Sequence, residues 1–231
     1  METAARFDDY HSPAGRRRAW RELVLYDHGF LRAAYANFHT VSPGRLYRAA
    51  QPGPQNLASL KERGMRTIIN LRGAKPTGYL FLETEACRKL GLNLVNFRVF
   101  SREAPSPEIL HNARELFQSI QYPALIHCKS GADRAGMMAT LFRFFEDRVP
   151  LKQAMDQLSW RYGHIKAGKT GVIDAAFNEY LDYARNIDAS DDDLDAFFHW
   201  VDTSYDHLET KARFRASWWG TALSDVILRR E

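Results

Sequence analysis

The chain has 231 residues, room for one domain or one domain with an appended piece. Its formal net charge of +4 favours acidic substrates or surfaces and excludes a nucleic-acid-binding composition. It has no run of about 18 apolar residues to span a membrane and no signal-peptide centre in residues 1–18, and its two cysteines, Cys87 and Cys128, are too few for a secreted disulfide framework; a cytoplasmic, reducing location is expected.

In chain order, residues 1–18 read as a disordered or loosely attached tail ending in Arg16-Arg17-Arg18, which a solvated tail explains and an anionic surface would also suit. A helix is expected over about 20–38, interrupted at Gly29, and Val41-Ser42-Pro43-Gly44 reads as a turn. Strands are expected at 45–50, 66–71, 92–100 and 124–128, with helices at 54–63, 79–90 and 107–121 between them. This alternation argues for an α/β fold: a mostly parallel central sheet flanked by helices. Further helices are expected near 135–146, 151–162 and 172–185. Residues 188–195 hold five aspartates and read as a solvated linker. Residues 196–230 read as one or two helices carrying Phe197, Phe198, Trp200, Tyr205, Phe214, Trp218 and Trp219. Aromatics at helical spacing are expected to pack on the body of the protein; peripheral membrane or partner docking is the sharper alternative.

The chemistry concentrates in His127-Cys128-Lys129-Ser130-Gly131-Ala132-Asp133-Arg134. Ala124-Leu125-Ile126 before it has strand character, and the residues after it have helical spacing, so the segment reads strand, loop, helix. A loop entering a helix start aims backbone N–H groups at one spot and so suits a phosphate. The same positive field favours the thiolate of a cysteine set in the loop. Arg134 can grip phosphate oxygens with two prongs, and Gly131 permits a backbone angle closed to other residues. The loop leaves the carboxyl end of a strand, where ligands bind in such sheets.

This loop resembles that of the cysteine-dependent tyrosine and dual-specificity phosphatases. The segment Leu46-Tyr47-Arg48-Ala49-Ala50-Gln51-Pro52 and the strand Ile68-Ile69-Asn70-Leu71-Arg72 extend the resemblance to bacterial members of the dual-specificity group, over roughly residues 40–185. The chain is expected to fall into three parts: an N-terminal tail and helix (1–40), a phosphatase catalytic domain (41–187) that carries the resemblance, and an acidic linker with an aromatic, helical C-terminal extension (188–231) outside it. It implies that the Cys128 thiolate attacks phosphorus to form a phosphocysteine. Lys129, Ser130, Gly131, Ala132, Asp133 and Arg134 would bind the phosphate, and His127 would orient the loop. Neither metal nor cofactor is expected. Substrates are expected to be phosphorylated proteins, with phosphotyrosine first, and lipid or inositol phosphates the alternative suggested by Lys129, Asp133, the basic stretch 161–169 and the aromatic C-terminus. A non-catalytic phosphate-binding module is a further reading, and no nucleic-acid partner is expected.

Two departures from the family pattern stand out. Ala135 occupies the position where a hydroxyl residue usually follows the arginine and assists loss of the thiolate. The stretch 100–107, where the family places an aspartic general acid, has none. Glu103 is the nearest carboxylate and Asp133 its rival as acid, with helix capping the plainer role for Asp133. Cys87, expected to be buried, would protect Cys128 if the two formed a disulfide on oxidation. Gly163-His164-Ile165-Lys166-Ala167-Gly168-Lys169-Thr170 fits the Walker A pattern, but a nucleotide loop needs a buried strand before it, and the preceding residues read as helix. Lys166 and Lys169 are expected instead to flank the phosphatase pocket and contact a second phosphate.

Overall fold

Ala124-Leu125-Ile126-His127-Cys128 is a short apolar run ending in polar residues, and it forms strand β5, Ala124–Cys128, with every residue buried. Near-continuous apolar runs of this kind suit a strand covered on both faces. The structure is a computed structural model and describes Phe7, residues 9–26 and residues 36–228, the last stretch 218–228 as backbone only. The described residues fall into two compact units, one within Met1–Val99 and Ser119–Ala135, the other within Phe100–Gln118 and Gly136–Glu231.

The first unit holds a five-stranded sheet in the order β1-β2-β5-β3-β4. Its other strands are β1 His39–Ser42, β2 Leu46–Ala50, β3 Thr67–Asn70 and β4 Asn93–Asn96. β5 pairs in parallel with β2 on one side and β3 on the other, and β4 extends the sheet in parallel beyond β3. β1 is antiparallel to β2. It takes the first two residues of the turn expected at 41–44, while residues 36–38, the end of the helix expected over 20–38, are irregular. Residues 27–35 of that expected helix lie outside the described residues.

Helices α2 Pro54–Glu62 and α3 Gly78–Leu90 connect these strands. Leu57 and Leu60 of α2 and Ala86 and Cys87 of α3 pack with Ala49, Ile68 and Leu125 of the sheet in one core cluster. The strand expected over 92–100 is paired as regular strand only to Asn96. β3 ends at Asn70, whose side chain turns the chain by accepting from Arg72 N at 2.9 Å and donating to Gly73 O at 3.1 Å. β4 therefore loses its regular partner, and only single bonds such as Phe97 N to Asn70 O at 3.0 Å follow.

The N-terminal segment departs from the loose tail expected. Residues Pro13–Arg21 form helix α1, with the Ser12 side chain accepting from Gly15 N as N-cap. Ala19 is fully buried, and Tyr10 and Leu23 join Phe81 and Leu82 of α3 in a second cluster. A Cβ at Gly78 would lie 2.5 Å from Ala19 Cα, so glycine allows the two backbones to meet. Glu22 Oε2 accepts from Gly78 N at 2.6 Å, a carboxylate at the positive end of α3. The arginines are engaged too: Arg16 donates to Glu85 at 2.7 Å, and Arg18 lies over the Tyr10 ring.

The second unit is helical. It contains α4 Pro107–Ser119 up to residue 118, α5 Asp133–Phe145 from residue 136 onward, the short α6 Leu151–Ala154, α7 Val172–Asn186, α8 Leu194–Thr203 and α9 His207–Leu228. The helix expected over 151–162 breaks after Ala154 into two single 3-10 turns, Met155–Gln157 and Trp160–Tyr162, because Leu158 and Ser159 leave helical geometry. The acidic stretch is more than a linker: Asp193 caps α8 by accepting from Ala196 N at 2.9 Å. The C-terminal aromatics do pack within this unit. Phe197 is fully buried, with Phe144 at 5.1 Å and Tyr180 at 4.9 Å between ring centroids. Trp218 and Trp219 lie where side chains are not described. Among the described residues no helix is long and apolar enough to cross a membrane.

Candidate active site

The loop from Cys128 to Arg134 leaves the end of β5, between the ends of β2 and β3, and enters α5 at Asp133. Its carbonyls are held away from its centre by groups of the first unit. Gln51 N donates to Lys129 O at 3.4 Å and Asn37 Nδ2 to Ser130 O at 2.9 Å. Arg48 Nη2 donates to Gly131 O at 2.7 Å and to Ala132 O at 2.8 Å. A planar trans peptide sets each N–H opposite the carbonyl before it. With the carbonyls of 129–132 drawn outward, the N–H groups of 130–133 turn to the inside. The Gly131 N–H indeed donates to Cys128 Sγ at 3.2 Å, a bond that a charged sulfur accepts best. One loop donor thus lies on the sulfur, and N–H groups turned to the inside of such a loop are the arrangement that cradles a tetrahedral oxyanion.

Gly131 makes this turn at φ +74°, and a Cβ there would lie 2.7 Å from Ala49 C and Ala50 N. The glycine is thus required twice, by its backbone angle and by the backbone it touches. His127 is fully buried, with Nε2 2.7 Å from Glu83 Oε1, itself 1 % exposed. This contact ties the end of β5 to α3 and turns the imidazole into the protein.

Cys128, Lys129, Ser130, Gly131, Ala132, Asp133 and Arg134 therefore lie on one loop. Cys128 is 2 % exposed, while Asp133 and Arg134 are half-buried. Asp133 is the first residue of α5, where its charge complements the helix N-terminus. Ala135 is fully buried. Glu103 belongs to the second unit and is ion-paired with Lys211. That pair must open before the Glu103 carboxyl could turn to a leaving oxygen. Lys166 pairs with Asp174 at 3.6 Å, and the 3-10 turns preceding the Walker-like segment leave it without the strand a nucleotide loop needs.

Cys87 is 1 % exposed within the core, and burial first, then the Glu83 charge, pushes its thiol up to about 12. A thiol so raised is a poor nucleophile, which disfavours the protective disulfide. Arg48, Asn37, Gln51 and Glu83 are the contributors that sequence reasoning missed. The one signal for Arg48 was a charged residue inside an otherwise apolar strand, and it is fully buried.

A family model described as "DSP-PTPase phosphatase fused to NAD+ Kinase" (PTP-NADK) matches residues 33–172. The chain is 27% identical over 154 residues to inositol diphosphatase DSP4 of Arabidopsis thaliana, covering 64% of this chain and 73% of that protein. It is 25% identical over 126 residues to dual specificity protein phosphatase TpbA of Pseudomonas aeruginosa, covering 53% of each. The chain thus spans about half the length of TpbA. A crystal structure of P. aeruginosa TpbA superposes with a TM-score of 0.47 at 21% identity, over 59% of this chain and 81% of that one. Since the family match runs over more than half the chain and includes the whole cysteine-to-arginine loop, the chain belongs to this family of DSP-type phosphatases, within the cysteine-dependent tyrosine phosphatase superfamily.

Proposed function

We propose that the chain is a metal-independent phosphomonoester hydrolase that works through a phosphocysteine at Cys128. One observation carries this reading: four loop carbonyls are tied outward by Gln51, Asn37 and Arg48, which turns the loop N–H groups inward, and that of Gly131 donates to Cys128 Sγ. The thiolate attacks phosphorus, the leaving oxygen departs with a proton, and water then cleaves the P–S bond to return thiolate and phosphate. Loop N–H groups and Arg134 hold the equatorial oxygens, and such preorganised donors usually supply the largest share of the acceleration. Asp133 is the acid we favour, because it sits beside Arg134 on the loop while Glu103 is held by Lys211.

Protein phosphotyrosine is the first substrate proposed, in line with the dual specificity relative. Phosphorylated inositols or lipids form the second reading, favoured by Lys129 in the loop and by the inositol diphosphatase relatives. A phosphate-release panel of phosphotyrosine peptides, inositol phosphates and phosphoinositides decides between them, with Cys128→Ser as the blank. Release by the wild type with a chelator present and none by Cys128→Ser is the expected result. Release that survives the substitution, or that the chelator abolishes, rejects the mechanism.

A further inference from the structure

The second unit contains a small cavity of about 240 Å³ with a strongly charged wall. It is lined by Arg102, Glu103, Lys169, Val172, Lys211, Phe214 and Arg215. Four of these are cations and one is a carboxylate, a formal net charge of +3 for the wall. Glu103 is paired with Lys211, whose side chain is 24% exposed. The apolar floor is built with equal care: a Cβ at Gly171 would lie 3.3 Å from Phe214 Cζ and 2.0 Å from Lys166 O, so glycine lets the ring close onto the turn.

Like charges gathered around a small cavity repel one another, and the favourable remedy is a bound anion. Two of the cations are guanidiniums, which match phosphate oxygens in pairs. Net +3 exceeds the charge of at most about −2 on one phosphomonoester near neutral pH, and so calls for a second phosphate close by. At 240 Å³ the space lies below the usual range of about 300–1,000 Å³ for drug-sized ligands, so the group held is a compact cluster of phosphates. Lys211, Phe214 and Arg215 come from α9, beyond the residues 33–172 that the family model matches, so the site is a property of this chain's C-terminal helix.

We propose that this cavity is a binding site for a ligand with adjacent phosphate groups, either a diphosphate or neighbouring phosphomonoesters on one scaffold. The incoming phosphate competes with Glu103 for Lys211. The site does not depend on the chemistry at Cys128, and its binding is therefore read in a full-length chain with Cys128→Ser and Arg134→Ala, in which the catalytic loop neither turns over nor grips phosphate. Inorganic tripolyphosphate is titrated into this protein by calorimetry at fixed salt. Adding Arg102→Gln and Arg215→Gln should weaken binding at least about tenfold, the loss expected when a charge-assisted hydrogen bond is removed. Adding Glu103→Gln instead should tighten binding by roughly threefold or more, since the competitor for Lys211 loses its charge; a misfolded protein would not gain affinity. Phosphatidylcholine vesicles carrying phosphatidylinositol bisphosphate form a second arm: binding there that needs Arg102 and Arg215 points to a lipid headgroup, and binding of tripolyphosphate alone points to a soluble ligand. Failure of both ligands to bind, or binding indifferent to the Arg102, Arg215 and Glu103 substitutions, overturns the proposal and leaves the phosphatase reading untouched.

Discussion

Arg48 is the residue on which the phosphate loop leans most. Its guanidinium, fully buried, satisfies the carbonyls of Gly131 and Ala132 together. Replacing it with methionine keeps most of the volume and leaves two buried acceptors unpaired, at about 1–3 kcal/mol each. The loop should relax, and kcat/KM for an aryl phosphate should fall about 100-fold, the scale of one lost oxyanion donor. Equal rates for Arg48→Met and wild type would show that the loop holds its shape without the clamp. Ala135 permits a second test at this scale. Without the customary hydroxyl, the thiolate leaves less readily when water attacks the phosphocysteine, so rapid mixing should reveal a burst of released alcohol. Ala135→Ser adds a single atom at a fully buried position. It should shrink the burst and speed the steady state by about tenfold, the value of one hydrogen bond to a charged sulfur. A wild type without a burst and a serine variant without a gain would place the slow step at transfer to Cys128.

At the scale of elements, helix α1 is held to α3 by the Arg16–Glu85 pair, by Glu22 on the Gly78 N–H and by the close approach at Gly78. The Arg16 hydrogen bond, above all, holds the Glu85 carboxyl down from 4.5 to about 2. A carboxyl depressed in the folded state contributes stability that is complete above its unfolded value and is lost as pH falls through the folded one. The contribution should therefore be present at neutral pH and disappear between about pH 4.5 and 2. Because the Arg16 side chain is 41% exposed, water screens the pair, and Arg16→Gln should lower the urea midpoint only slightly at pH 7. Urea unfolding of both proteins at pH 7 and near pH 2 checks this: the two curves should differ at the first pH and merge at the second. A gap of constant size would assign the effect to packing of the arginine stem.

At the scale of the whole molecule, the C-terminal extension is part of the second unit's core. Phe197, Phe198, Trp200 and Tyr205 are buried, and the Tyr205 hydroxyl donates to Pro105 O at 2.9 Å, tying the extension to the segment that carries Glu103. Truncation after Arg185 would uncover Phe144, Phe145 and Tyr180. Losing a buried aromatic costs about 3–5 kcal/mol, and each kcal/mol lowers Tm by about 2–4 °C in a protein of this size. The melting temperature should thus drop by at least about 6 °C, with dye binding to the exposed apolar surface. An unchanged Tm together with lost binding to anionic vesicles would favour a membrane role for this segment.

The amino-acid sequence by itself determined the local features of this protein. Ala124–Cys128 is strand because a short apolar run cannot sit in water, and α2 and α3 lie within a residue or so of their expected bounds. The cysteine, glycine and arginine of the phosphate loop are neighbours along the chain, so their grouping was legible from spacing alone. What the tertiary structure decided is everything that depends on residues far apart in sequence. Arg48 reaches a loop 83 residues away, Arg16 finds Glu85 across 69, and Lys211 takes up Glu103. An isolated arginine triplet reads as solvated charge, and only the docking of α1 on α3 gives Arg16 a partner. Helix 151–162 failed for the complementary reason: its propensity is local, while the burial of Leu158 and the exposure of Trp160 are set by the packing around them.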